Sequence, residues 1–100
     1  MNTITRDEIL RNLAASQKTL RGLGVRSLAL FGSCARGEDH PASDLDFVVE
    51  FERKSFDAYM DLKAFLEDLF GRPVDLVLPN TIKPRLRSAI MQELVHVPGL

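Results

Sequence analysis

The chain has 100 residues, 45% hydrophobic and 27% charged, with 13 basic against 14 acidic side chains and a formal net charge of −1. That length fits one domain, residues 1–100, with a single modest core, and the balanced charge excludes the basic excess that sequence-independent nucleic-acid binding requires. No apolar run approaches the ~18 residues of a membrane span, and MNTITRDEIL lacks the basic start and apolar stretch of a signal peptide; with Cys34 as the sole cysteine, the expectation is a soluble cytoplasmic protein in a reducing compartment.

In chain order, Thr5 to Arg21 reads as a first helix. Thr5 and Glu8 form a capping box, Ile9, Leu10, Leu13, Ala14 and Leu20 recur at helical spacing, and Gly22 and Gly24 offer a stop. Val25 to Phe31 is a strand, apolar from Leu28 onward and so placed centrally in its sheet. Gly32 ends it where the chain turns sharply, and Ser33 suits the N-cap of a short helical turn through Ala35 and Arg36. Such a turn offers backbone N–H groups to an anion such as a triphosphate, and Arg36 adds a fixed positive charge. Alone, a Gly-Ser pair is an ordinary strand-to-helix turn. Cys34, inside the turn, reads as a small space-filling residue. Gly37 to Ser43 is an exposed loop with Pro41, and His40 on it reads as solvated.

Asp44 to Phe51 is the second strand. Alternation puts Asp44, Asp46, Val48 and Glu50 on one face and Leu45, Phe47, Val49 and Phe51 on the other, with the two aspartate α-carbons about 6.6 Å apart. Two like charges on one face repel and raise one carboxyl pKa unless a cation sits between them. Mg²⁺ prefers one or two carboxylates plus phosphate oxygens, and two such ions can clamp an in-line phosphoryl displacement. By itself the pair is equally well read as a solvated strand start.

Ser55 to Phe70 is the next helix, with Phe56, Tyr59, Met60, Leu62, Phe65, Leu66 and Leu69 giving a broad apolar face read as core, and Gly71 ending it. Lys63 on this helix reads as a surface lysine. Pro73 to Leu78 is a short apolar strand interrupted by Asp75, an acid that strand chemistry does not favour. If it neighbours the Asp44 strand, Asp75 joins the same acidic cluster. Thr81 to Val95 is a last helix, basic at its start (Lys83, Arg85, Arg87), and His96 to Leu100 is a tail that could end in a short edge strand.

Gly32-Ser33, ten intervening residues, then Asp44-Leu45-Asp46 resembles the signature of the DNA polymerase β-like nucleotidyltransferases. The fuller string GSCARGEDHPASDLDFVVEF is similar to the minimal nucleotidyltransferases, small prokaryotic proteins that pair with HEPN-domain toxins, and the resemblance covers nearly the whole chain. It implies an α/β (α+β) fold, a small twisted mixed sheet with helices mainly on one face. It also implies that Asp44, Asp46 and Asp75 bind one or two Mg²⁺, with Asp75 helping to accept the proton of the attacking hydroxyl. Gly32, Ser33 and Arg36 would bind the nucleoside triphosphate, with ATP as substrate. Similar proteins act as antitoxins that attach AMP to a tyrosine of a HEPN ribonuclease encoded nearby. Two other readings stay open: a non-catalytic antitoxin that inhibits by binding, and a small-molecule nucleotidyltransferase of the antibiotic-modifying kind, which usually carries an additional helical domain. Neither nucleic acid nor membrane is expected as a direct partner.

Overall fold

A computed structural model describes residues 5–37, 44–53 and 55–100; His40, Pro41 and the rest of the 38–43 loop lie outside the described residues. The elements run α1 (Arg6–Ala15), α2 (Gln17–Gly22), β1 (Val25–Phe31), β2 (Leu45–Phe51), α3 (Phe56–Phe70), β3 (Val74–Val77), a 3₁₀ turn at Pro79–Thr81, α4 (Pro84–Glu93) and β4 (Val95–His96). The strands form one mixed sheet in the order β3-β2-β1-β4. Its β1/β2 and β1/β4 pairs are antiparallel and its β2/β3 pair is parallel. The architecture is the expected small mixed sheet with helices, and β1 occupies an interior position.

The core follows from strand alternation. Leu28 and Leu30 of β1, Leu45, Phe47 and Val49 of β2, and Val74 and Leu76 of β3 are all buried on one face. Against them pack Ile9 and Leu13 of α1, Leu20 of α2, and Leu62 and Leu66 of α3. Deleting a buried leucine of this cluster would cost about 2–5 kcal/mol by leaving a cavity. The opposite face is not bare: Ala29 (3% exposed) and Val48 (5%) are register partners buried on it, and the 3₁₀ turn packs against β2.

Four expectations about elements are corrected. The Thr5–Arg21 segment forms two helices rather than one, broken at Ser16 (φ −104°, ψ 15°). A serine side chain competes for local backbone groups and holds a helix interior poorly. The capping box stands: the Thr5 hydroxyl accepts from Glu8 N–H at 3.2 Å and Glu8 Oε1 accepts from Thr5 N–H at 3.2 Å. The last helix starts at Pro84, not Thr81, because the proline forces Lys83 into an extended conformation (φ −60°, ψ 136°). It ends at Glu93, and the edge strand, at Val95–His96, comes earlier than the tail reading placed it. On α3 the core face is narrower than the sequence suggested. Leu62 and Leu66 are buried and Tyr59 and Phe65 partly so, whereas Phe56 (77% exposed), Met60 and Leu69 face outward.

Candidate active site

Gly32 leaves β1 with φ +81°, a left-handed conformation natural to glycine. The turn that follows is closed by Arg36 N–H, shared between the carbonyls of Gly32 and Ser33 at 3.2 Å each, and by Gly37 N–H to the Cys34 carbonyl at 3.1 Å. It is a single helical turn, not a helix. Cys34 and Ala35 are buried beneath it, so the turn is anchored to the core by its own small side chains. From α1, Arg6 Nη1 donates to the Ala35 carbonyl at 3.1 Å and ties the turn to the first helix.

Directly across from this turn lies the mouth of β2. Phe31 and Asp46 are register partners, and a Cβ at Gly32 would collide with Asp46 Oδ2 and lie 3.3 Å from Asp46 Cγ. The absence of a side chain at position 32 is therefore what lets the Asp46 carboxylate lie against the turn. Asp46 is half-buried, Asp44 and Asp75 exposed.

The parallel pairing of β2 and β3 sets Asp46 opposite Asp75. In-register residues on adjacent strands point to the same face, with backbones about 4.8 Å apart. Asp75 is exposed between buried Val74 and Leu76, which confirms that it turns away from the core. The register is fixed by the way β3 enters the sheet. Gly71 caps α3 in a left-handed conformation (φ 65°), Glu67 Oε2 accepts from Val74 N–H at 2.9 Å, and Leu45 N–H donates to the Pro73 carbonyl at 3.0 Å. The Tyr59 hydroxyl, donating to the Leu76 carbonyl at 3.1 Å, pins the strand one residue beyond Asp75.

Charge crowding follows from this placement. Burial, then the negative charges of Asp75 and Asp44, push the Asp46 carboxyl from its ordinary 3.8 up to about 6, with Arg36 pulling the other way. Among the described residues, no three His, Cys, Asp or Glu side chains already converge into a ligand shell for a metal ion. The donor set nonetheless suits a hard divalent cation: all are carboxylate oxygens, with neither thiolate nor imidazole, and their mutual repulsion is what a cation relieves. Lys63 is partly buried on α3.

The sequence reading missed one residue here. Glu93, at the end of α4, accepts with Oε1 from Gly32 N–H at 3.3 Å and from Arg36 Nη1 at 2.9 Å. Arg36 is thus held by an acid of the last helix, and Gly32 N–H is already engaged. A signal was present: an acid in the last turn of a helix opposes the macrodipole and calls for a partner elsewhere.

With this geometry in place, comparison with known proteins defines the class: the profile of the family described as "Nucleotidyltransferase domain" matches residues 10–97, and the chain is a nucleotidyltransferase. The curated relatives narrow it further. The chain is 38% identical over 99 residues to "Protein adenylyltransferase MntA" of Thermococcus cleftensis, covering 97% of this chain and 100% of that protein. Among solved structures it is similar to a candidate minimal nucleotidyltransferase, with TM-score 0.70 and 35% identity over 86% of this chain and 93% of that one. It also shares its fold with a chain of the solved complex between the tri-AMPylated HEPN toxin of Shewanella oneidensis and MNT antitoxin, at TM-score 0.62 and 19% identity, covering 91% of this chain and 73% of that one. The chain belongs to the minimal nucleotidyltransferases.

Proposed function

We propose that this protein transfers AMP from ATP to a hydroxyl, a tyrosine of a HEPN ribonuclease toxin, and thereby acts as that toxin's antitoxin in the cytoplasm. The observation that carries the reading is the convergence of Asp46, Asp75 and the Gly32 turn. An acid pair in cross-strand register, with Asp46 lying against the side-chain-free Gly32, has no role in the core and is destabilised by its own charge. The naming of the Thermococcus cleftensis relative as a protein adenylyltransferase and the kinship of fold with an MNT antitoxin bound to a HEPN toxin support the acceptor class.

In this reading Asp44, Asp46 and Asp75 hold one or two Mg²⁺, which when bound would supply Lewis-acid stabilisation of the charge that develops on the phosphoryl oxygens. The chain's own groups do the rest by positioning. Gly32 keeps the turn close to Asp46, while Ser33 offers its hydroxyl and backbone to the β- and γ-phosphates, so that pyrophosphate leaves opposite the attacking hydroxyl. Arg36 supplies positive charge at the rim of the same turn. Asp75, the more exposed partner of the cross-strand pair, orients the acceptor hydroxyl and takes its proton.

The test is co-expression with the HEPN protein encoded nearby, followed by mass spectrometry of that partner. AMP on a tyrosine, lost with Asp44→Ala plus Asp46→Ala, is the expected result. Full neutralisation by the double variant, without AMP on the partner, would replace transfer with simple binding.

A further inference from the structure

Glu93 sits where an acid is unfavourable. It closes α4, facing the negative end of the helix dipole, on a helix that buries none of its residues. Its carboxylate is nevertheless shared between two donors of the Gly32–Arg36 turn.

The strand register explains how it arrives there. Val97 N–H donates to the Leu28 carbonyl, so Leu28 and, by the two-residue period, Leu30 and Gly32 direct their backbone groups toward the β4 edge. Leu30 pairs with Val95. Continuing that antiparallel register by two residues sets Gly32 opposite Glu93, but the chain there is already helical, and the backbone pairing stops. The Glu93 side chain takes the place of the missing ladder partner. Gly32 is therefore flanked on two sides: the Asp46 carboxylate lies against it where a side chain would be, and Glu93 holds its N–H on the β4 side.

We propose that Glu93 is a positioning residue for nucleotidyl transfer, bracing the phosphate turn and the Arg36 guanidinium from the β4 edge, across β1 from the strands that carry Asp46 and Asp75. The inference rests on the proposed function, since it assigns Glu93 to the same nucleotide site. A carboxylate that merely stood in for the phosphates would have to be displaced by ATP, and its removal would tighten binding. The brace has the opposite sign. Approach from the β4 edge favours it, because the acids that face the reaction lie across β2 and β3, on the other side of β1.

Two measurements on the full chain test this, with Glu93→Ala and, as the milder change, Glu93→Gln. The first is hydrogen exchange at the Gly32 amide. Loss of a charge-assisted acceptor should speed it about tenfold in Glu93→Ala and less in Glu93→Gln, which keeps an acceptor oxygen. The second is the affinity for AMP-PNP with Mg²⁺, expected to weaken about tenfold in Glu93→Ala, with KM for ATP rising in parallel and kcat changing less than about twofold. Unchanged Gly32 exchange in both variants, or AMP-PNP binding that is equal or tighter, would overturn the brace. Where the alanine variant fails to fold, the glutamine variant decides on the same two readouts. A wild-type protein that binds AMP-PNP but transfers no AMP would sink the proposed function while leaving the brace to stand on exchange and affinity.

Discussion

Gly32→Ala separates the site from the scaffold. Position 32 has φ +81°, where a Cβ costs about 1–2 kcal/mol, offset by up to roughly 1 kcal/mol from the reduced freedom of the unfolded chain. The backbone term therefore leaves a net loss of about 1 kcal/mol, a fall of about 4–8 °C in Tm for a domain of this size. The steric term acts elsewhere. The new methyl would collide with Asp46 Oδ2 and lie 3.3 Å from Cγ and 3.4 Å from Cβ, and the carboxylate can escape only by rotating away from the turn. A displacement of about 1 Å at a reacting group costs about a hundredfold in rate. The expected result is a folded protein with a modestly lowered Tm and kcat/KM for AMP transfer down by about two orders of magnitude. Thermal denaturation monitored by circular dichroism and an initial-rate assay on the same preparation measure both. Wild-type kcat/KM in a folded Gly32→Ala protein would refute the claim that Asp46 works from its place against the turn.

Other consequences follow from the acidic pair and its supports. In the metal-free protein the Asp46 carboxyl lies at about 6 when folded, against 3.8 ordinarily. The folded state thus holds its proton more tightly, and the contribution to stability is full below about 3.8 and lost as pH rises through about 6. Discounted for the solvent that reaches this half-buried group, the loss is about 1–2 kcal/mol. Asp46→Asn should accordingly abolish transfer yet raise metal-free stability by that amount at pH 7.5, the gain vanishing near pH 4; urea denaturation at the two pH values reads it, and a destabilised variant at pH 7.5 would contradict the charge crowding. Glu67→Ala leaves Val74 N–H without its 2.9 Å partner and should cost about 1–3 kcal/mol, with faster amide exchange at Val74 and a lower transfer rate as Asp75 loses its register. Unchanged exchange at Val74 would show that β3 is held without it.

Much of the fold was legible because the relevant signals are local. The Thr5/Glu8 capping box, the alternation through Leu45–Phe51 and the glycine after Phe70 each act within a few residues. The three acids could be nominated from the same alternation, since an aspartate in an apolar strand has to face away from the core. Their meeting could not be read from spacing. It depends on β2 and β3 being parallel neighbours with Asp46 opposite Asp75, which the sequence allowed only as a condition and which the resemblance to nucleotidyltransferases made an expectation. What escaped was long-range and individually unremarkable. Glu93 is 61 residues from Gly32, and an acid on a mostly exposed helix reads as solvated until the sheet edge brings it to the turn. Phe56 and Met60 were misassigned for the converse reason. Apolar spacing on α3 describes a wider face than the small sheet can cover, and burial is decided by how far that sheet extends.

The most direct test of the account uses the purified protein with Mg²⁺, the HEPN protein proposed as its partner, and ATP labelled at either the α- or the γ-phosphate. Cleavage between the α- and β-phosphates predicts that α-label, and not γ-label, becomes covalently attached to the partner, and that Asp46→Asn and Asp75→Asn each abolish the attachment. Transfer of γ-label, or attachment of α-label that survives loss of either acid, would contradict it.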